Sequence, residues 1–484
     1  MGRTRILKVD VEDTIQTLDG KLHLSTSIVQ ELADAGLLQF ANRWRSNRGK
    51  LGTNPIMADM KIYRVFGGIA ILMAIAIAVT VMIDLEPKKK MILFRIQFLL
   101  IFCFILGAMS RYVWINLIVL LPNRHSNSRK LVYTHWIMYI VFAAFLGLAF
   151  FSFVIGRMLI GVEPYFINKL AFACLGLLIL IFFNLLLLSV VFGLLRLCNF
   201  TIPNADKWKT IIATVLSLLL CIQGLTTAYK GPVFKRVTVP LSKLPPSFDG
   251  TTVVQLSDIH LGPLIGLDAL ERVVKMVSAT KPDIVVITGD LVDSTVANLK
   301  KVVLPLKRLR SKYGSYFVTG NHEYYTGDTD AWLEELKQLG IQPLHNSHVV
   351  ISNKVSPEDK LYIAGVDDPD ANRMKYQNHG MKLSQALNGR SRRFPTVLLA
   401  HQPKAAQQAL DKYQDIDLIL SGHTHGGQFF PMNIPIYFFN PFFSGLYKYK
   451  ETYVYVTSGT YFAAAPLRIG SQAEITVLSL TTTR

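Results

Sequence analysis

The sequence predicts a chain in two parts, a multi-pass α-helical membrane region followed by an α/β domain. Three observations carry this expectation. Of 484 residues, 51% are hydrophobic and only 17% are charged, with a mean hydropathy of +0.33, which is too apolar for an ordinary soluble enzyme and too long for one domain. The apolar residues gather into five long runs in the first half. In the second half the pattern changes to short β-branched runs alternating with helical spacing and Gly/Asp/His-rich turns. Collagen, low-complexity disorder and a cystine-stapled scaffold are excluded, since four cysteines cannot build such a framework in a chain of this size.

Residues 1–62 form a polar N-terminal region with a helix expected around Ser25–Phe40, and nothing in it suggests chemistry. Residues 63–230 hold the five runs, near Val65–Ile83, Met91–Met109, Tyr133–Ile155, Leu170–Leu195 and Thr210–Ala228. A spanning helix needs about 20 largely apolar residues. The second run is the equivocal one, with Arg95 near its start and Arg111 leading into a further stretch, Tyr112–Leu121, that is too short to cross alone. Because about 60 polar residues precede the first run, it does not read as a signal peptide.

Charge divides the chain the same way. Residues 1–236 carry a net +15 and residues 237–484 a net +3, so the basic excess flanks apolar runs and meets a lipid bilayer; no nucleic acid is expected as a partner. Lys and Arg counted on alternating sides divide 13 to 10, leaving open which side carries the C-terminal half.

Residues 237–484 read as one domain. Strands are expected at Thr252–Leu256, Asp283–Thr288, Ser315–Thr319, Tyr362–Gly365, Thr396–Ala400 and Asp417–Leu420. Several are near-continuous apolar runs, as in sheets covered on both faces. Helices are expected at Leu267–Thr280, Asn298–Arg310, Thr329–Leu339 and Lys404–Asp411, and two last strands at Thr452–Val456 and Glu474–Leu480.

Polar residues cluster just past those strands: Asp258 and His260 in SDIHLG, Gly289, Asp290 and Asp293 in GDLVD, and Gly320, Asn321, His322 and Glu323 in GNHE. His401 follows in LLAHQP, then His423 and His425 in SGHTHGGQ; eight of the eleven histidines lie in this half. Open α/β sheets place their sites at such strand ends. Carboxylates, an amide oxygen and imidazoles suit divalent first-row metals such as Mn, Fe or Zn. Seven candidate ligands (Asp258, His260, Asp290, Asn321, His401, His423, His425) are too many for one tetrahedral ion. Two ions sharing a bridging carboxylate fit better, and such a pair clamps an in-line displacement at phosphorus. On a strand end both residues of Asp-x-His point to the same face, and both imidazoles of His-x-His do the same.

These five ordered blocks, spread over about 170 residues, resemble the calcineurin-like metallophosphoesterase superfamily. The resemblance implies a two-sheet β-sandwich flanked by helices. It also implies one metal on Asp258, His260, Asp290 and His425, and a second on Asp290, Asn321, His401 and His423, with Asp290 bridging. His322 is similar to the family's histidine that stabilises the transition state or protonates the leaving oxygen, and Asp293 to its orienting carboxylate. Ser294 and Leu261 stand where the protein Ser/Thr phosphatases have Arg and Gly, which disfavours a protein substrate. Gly426, Gly427 and Gln428 resemble instead a bacterial membrane-associated phosphodiesterase branch.

The expectation is a membrane-anchored, dinuclear metal-dependent hydrolase that cleaves a phosphomono- or phosphodiester with metal-activated hydroxide, a lipid-linked phosphate being a candidate substrate. Alternatives are a nucleotide or pyrophosphate hydrolase, or a non-catalytic membrane scaffold with a relic domain. Gly289, Gly320 and Gly422 are expected to serve turns. Asp367, Asp368 and Asp370 read as a solvated acidic turn, and His345, His348 and His379 match no block. The aromatic segment from Phe429 to Tyr449 reads as a loop folded onto the core, or alternatively as one dipping into the headgroup region.

Overall fold

In the computed structural model the described residues are 17–18, 21–22, 55–83, 87–117, 120 and 129–483, and the helix expected at Ser25–Phe40 lies outside them. Residues 1–82 and 83–484 form two compact units. In the first, Thr17–Leu18 pairs antiparallel with Lys21–Leu22, and helix α1 spans Pro55–Met82, its described apolar stretch being Gly67–Thr80.

The second unit opens with α2 (Pro87–Leu117), α3 (Arg129–Met158), α4 (Phe166–Leu197) and α5 (Ala205–Lys230). Among the described residues four helical stretches are long and apolar enough to cross a membrane: Leu99–Leu117, Trp136–Met158, Phe166–Leu197 and Ala205–Lys230. Helix α2 carries on past Arg111 to Leu117, so the stretch that begins at Tyr112 continues the second run as far as the described residues reach. Polar side chains tie these helices together where water is scarce: Asn184 Nδ2 donates to Ser217 Oγ at 2.9 Å, and the Tyr112 and Ser189 hydroxyls meet at 3.0 Å.

The domain begins at β1 (Val233–Leu241), ahead of the expected boundary. There follow β2 (Thr251–Leu256), α6 (Leu267–Ala279), β3 (Ile284–Thr288), α7 (Val296–Leu299), β4 (Ser315–Val318), α8 (Asn321–Thr326), α9 (Thr329–Gln338) and β5 (Ile341–Pro343). After them come β6 (Ser347–Ser352), β7 (Lys360–Gly365), α10 (Asp370–Arg373), α11 (Leu383–Leu387), β8 (Thr396–Leu399), α12 (Pro403–Lys412) and β9 (Leu418–Ser421). The last elements are α13 (Asn433–Phe439), β10 (Gly445–Tyr449), β11 (Thr452–Val456) and β12 (Glu474–Thr482). The helix expected over Asn298–Arg310 is broken into α7 and a 3₁₀ turn at Leu304–Arg308, since Pro305 cannot donate to a helical ladder.

The twelve strands of this domain form two six-stranded mixed sheets, in the orders β1-β12-β2-β3-β4-β5 and β10-β11-β9-β8-β7-β6. Within each strand alternate residues divide between two layers. Val253, Ile284 and Val286 join Val397, Leu399, Leu418 and Leu420 between the sheets. Val254, Val285 and Ile287 face outward on one side, and Leu398 and Ile419 do so on the other. Apolar residues on both faces of each strand are what produced the near-continuous runs.

The outward layer of the first sheet does not end with the domain. Val254, Ile259, Leu261, Leu264 and Ile265 belong to the same buried cluster as Phe172, Leu175 and Ile181 of α4 and Ala228 of α5. Backbone and side-chain bonds fasten the seam. Asn168 Nδ2 donates to the Pro263 carbonyl at 3.2 Å, while Leu267 N donates to Val162 O at 2.9 Å and Arg468 N to Gly224 O at 3.1 Å. Leu467 lies against bare helix backbone, so near that a Cβ on Gly176 would stand 2.7 Å from its Cδ1.

Candidate metal centre

Five of the expected site residues, Asp258, His260, Asp290, His423 and His425, have positive φ between 51° and 71°. Their strands have already ended, and this left-handed backbone turns each side chain out of the pleat at a cost the surrounding structure must hold. For that reason the two imidazoles of His-x-His diverge instead of facing one way. His425 joins Asp258 and His260, whereas His423 joins Asp290 and His401, and in each group the candidate ligand atoms lie within 4.8 Å of one another.

Asp290 lies between the groups. Its Oδ2 is 3.2 Å from His401 Nε2 and 3.9 Å from His260 Nε2, and its Oδ1 accepts the His322 N–H at 2.8 Å. Close backbone approach explains the glycines. A Cβ on Gly320 would meet Asp290 Oδ1 at 2.2 Å, and one on Gly422 would meet Asp258 Oδ2 at 2.3 Å. The requirement there is space for a carboxylate, not the turn geometry expected; Gly289 alone of the three has positive φ, 84°.

The polar atoms of the pocket face one another in a way that demands cations. His401 Nδ1 donates to the Thr288 carbonyl at 2.7 Å, so in the neutral ring the Nε2 lone pair is directed at the Asp290 carboxylate. His260 Nδ1 meets Asp293 Oδ1 at 2.9 Å, leaving its Nε2 lone pair 3.1 Å from His425 Nε2. Anchoring the far ring nitrogen in this way is the arrangement found around metal-bound histidine. Asn321 Oδ1, a candidate ligand atom, is buried with no hydrogen-bond partner among the described residues, and buried polar atoms are seldom left so. The donor set therefore fits divalent ions. Burial opposes charge on His401, yet Asp290 raises its pKa well above the ordinary value, because the facing acceptors require positive charge between them. Burial and the neighbouring His401 take His423 down to about 3, and burial and His260 hold His425 well below its usual range. Both rings are thus kept in the neutral form that binds metal.

Asp293 Oδ1 also meets His322 Nδ1 at 2.7 Å, so one oxygen orients two rings. His322 keeps 31% of its side chain exposed, placing it at the edge of the pocket. Burial works against its charge, and Asp290 and Asp293 outweigh burial to raise its pKa to about 10.

Glu323, the last residue of GNHE, holds the centre together. Fully buried, it accepts the backbone N–H groups of Asp290, Leu291 and Val292 at 3.0, 2.8 and 3.2 Å as well as that of Gly320. Burial and Asp290 push its carboxyl up to about 7, against the pull of the Gly320 and Val292 N–H groups. Its spacing after Gly320 is that of a capping box, the one local signal available. Glu323→Ala is expected to cost about 3–5 kcal/mol by stranding these donors, measured as a fall in the thermal unfolding midpoint of the detergent-purified chain. Arg468 gave no local signal. It is fully buried and donates to the carbonyls of His425 and Ser458, each at 2.8 Å, and to that of Tyr461, fixing the turn that carries His425.

Asp367, Asp368 and Asp370 are buried, not solvated. Asp368 Oδ1 accepts from Gln402 Nε2 at 2.8 Å, and burial raises its pKa to about 7. Asp370 accepts from the Tyr325 hydroxyl at 2.7 Å, and Asp367 from Asn346 Nδ2 at 2.9 Å and Gly380 N at 3.0 Å. His345 and His379, which match no block, flank this turn: His345 Nδ1 is 2.7 Å from Asp367 Oδ1, and His379 bonds the Tyr324 hydroxyl and Asp330.

Sandwich and site together define a class, and a family profile agrees with them: the calcineurin-like phosphoesterase profile matches residues 251–427. The chain belongs to the calcineurin-like phosphoesterase family. Its likeness extends beyond the matched segment, to proteins called "Transmembrane protein with metallophosphoesterase domain". That of Danio rerio is 40% identical over 82% of this chain and 91% of the relative. The Bos taurus protein is 42% identical over 82% and 92%. A solved dimetal phosphatase from Danio rerio shares 12% identity at a TM-score of 0.33, over 49% of this chain and 100% of that one. With its apolar helices and these relatives, the chain is a multi-pass membrane protein, and its family implies divalent metal ions.

Proposed function

We propose that the protein is a membrane-anchored hydrolase of phosphomono- or phosphodiesters that works with two divalent ions. The single observation carrying this reading is Asp290, a buried carboxylate set between two histidine groups whose lone pairs converge on it. One ion would be held by Asp258, His260, Asp290 and His425, the other by Asp290, Asn321, His401 and His423. When bound, such a pair supplies positive charge to the phosphoryl oxygens and lowers the pKa of water. The remaining work falls to the chain. Glu323 and Arg468 hold the loops at fixed separation. Asp293 fixes the His322 ring through Nδ1, which leaves Nε2 to protonate the departing oxygen.

The loop after His260 rests on α4 through Pro263 and Leu264, so chemistry takes place beside the membrane. That location favours a lipid-linked phosphate over a free nucleotide. The test uses the full chain in detergent with Mn²⁺, assayed on p-nitrophenyl phosphate and on its bis ester. Turnover of at least one, lost on chelation and restored by Mn²⁺, is the expected result. Bound Mn²⁺ with neither ester cleaved would instead identify a scaffold.

A further inference from the structure

We propose that the segment from Met432 through α13 (Asn433–Phe439) lies in the bilayer surface, with its large apolar side chains in lipid. Met432, Ile434, Tyr437, Phe438 and Phe439 are all exposed, Phe438 and Phe439 by 76% and 72%. A run of this kind on a folded surface marks a contact. Part of the aromatic segment does fold onto the core, since Phe429 and Phe442 are buried, so the two readings of it apply to different residues.

The occupant follows from where the run begins. Phe429 packs in one cluster with Leu180 of α4, Cys221 of α5, and Leu467. Helix α4 has 32 residues, about 48 Å at 1.5 Å per residue, while hydrocarbon is about 30 Å thick. Leu180 is 14 residues from Phe166, at the end nearest the domain, or about 21 Å along the axis. With Arg196, 16 residues or about 24 Å beyond Leu180, at the far hydrocarbon border, Leu180 falls about 6 Å inside the border on the domain side. Phe429 is thus at the bilayer surface, and Asn433 N donates to its carbonyl at 3.2 Å, which starts the exposed turn there. The patch continues a surface that lipid already covers, and aromatic side chains favour that depth.

The same helix packs against the turn that follows His425. A Cβ on Gly427, two residues past His425, would stand 2.5 Å from Asn433 Cβ, and the Tyr437 and Phe443 rings meet edge-on at 5.6 Å. Lipid contact therefore bears directly on the turn that presents His425. The proposal stands whether or not the site turns over an ester.

The test places Trp at position 438 (Phe438→Trp) in the full chain, reconstituted in phosphatidylcholine vesicles, and takes the emission added over the wild type, which has five Trp. Phe439→Trp repeats the measurement at an adjacent exposed position. The expected result is loss of most of the added emission when the acyl chains are brominated, and little loss with iodide in the water. Quenching by iodide but not by bromolipid would overturn the proposal. So would protection from both quenchers, which would mean that a second copy or another segment of the chain covers the patch.

Discussion

Asp290→Asn is expected to lower turnover of either p-nitrophenyl ester by about a thousandfold or more, because in the proposed site it would remove the charge shared by both ions and with it several kcal/mol of stabilisation. An amide has nearly the shape of the carboxylate, so packing is kept. What changes is the partner of two lone pairs: Asn cannot balance His401 at 3.2 Å and His260 at 3.9 Å around cations. Metal content measured on the same sample should fall together with rate. A variant that keeps both metals and most of its rate would show that Asp290 does not bridge, and the dinuclear reading would be lost.

His322→Ala is expected to behave differently. Its imidazole is outside the two groups that flank Asp290 and is held by Asp293 at 2.7 Å, so its removal should spare the metals and slow the reaction by about 10²–10⁴-fold, the usual contribution of a positioned proton donor. The loss should be smaller for esters of acidic phenols, whose departing oxygen needs no proton, than for an alkyl ester. Equal losses for both would assign His322 a structural part. Measured together, the two variants separate holding the ions from moving the proton.

Much of this was legible in the sequence because metal-binding chemistry admits few side chains. The fold brings Asp258, His260 and His425 into one group and Asp290, His401 and His423 into another, and the strands before them announced themselves through apolar residues on both faces. What stayed hidden depends on distant neighbours. Arg468 and, beyond its capping-box spacing, Glu323 act on backbone supplied by other loops, which no local pattern reports. The acidic turn looks solvated until Gln402, Asn346 and Tyr325 close over it. Strand β1 was passed over because Lys235 and Arg236 interrupt its apolar character; it is an edge strand, exposed along its first half. His423 and His425 separated because left-handed backbone, not the two-residue strand repeat, sets their directions.

The seam between the helices and the sandwich has a consequence of its own. The loop leading from His260 leans on α4, while the one containing Leu467 and Arg468 wedges between α4 and α5. Helices tilt to match the thickness of the lipid around them, and here any tilt would be felt at both rims of the metal pocket. A sandwich severed from its helices would bare to water the apolar flank that Ile259, Leu261, Leu264 and Ile265 form against them.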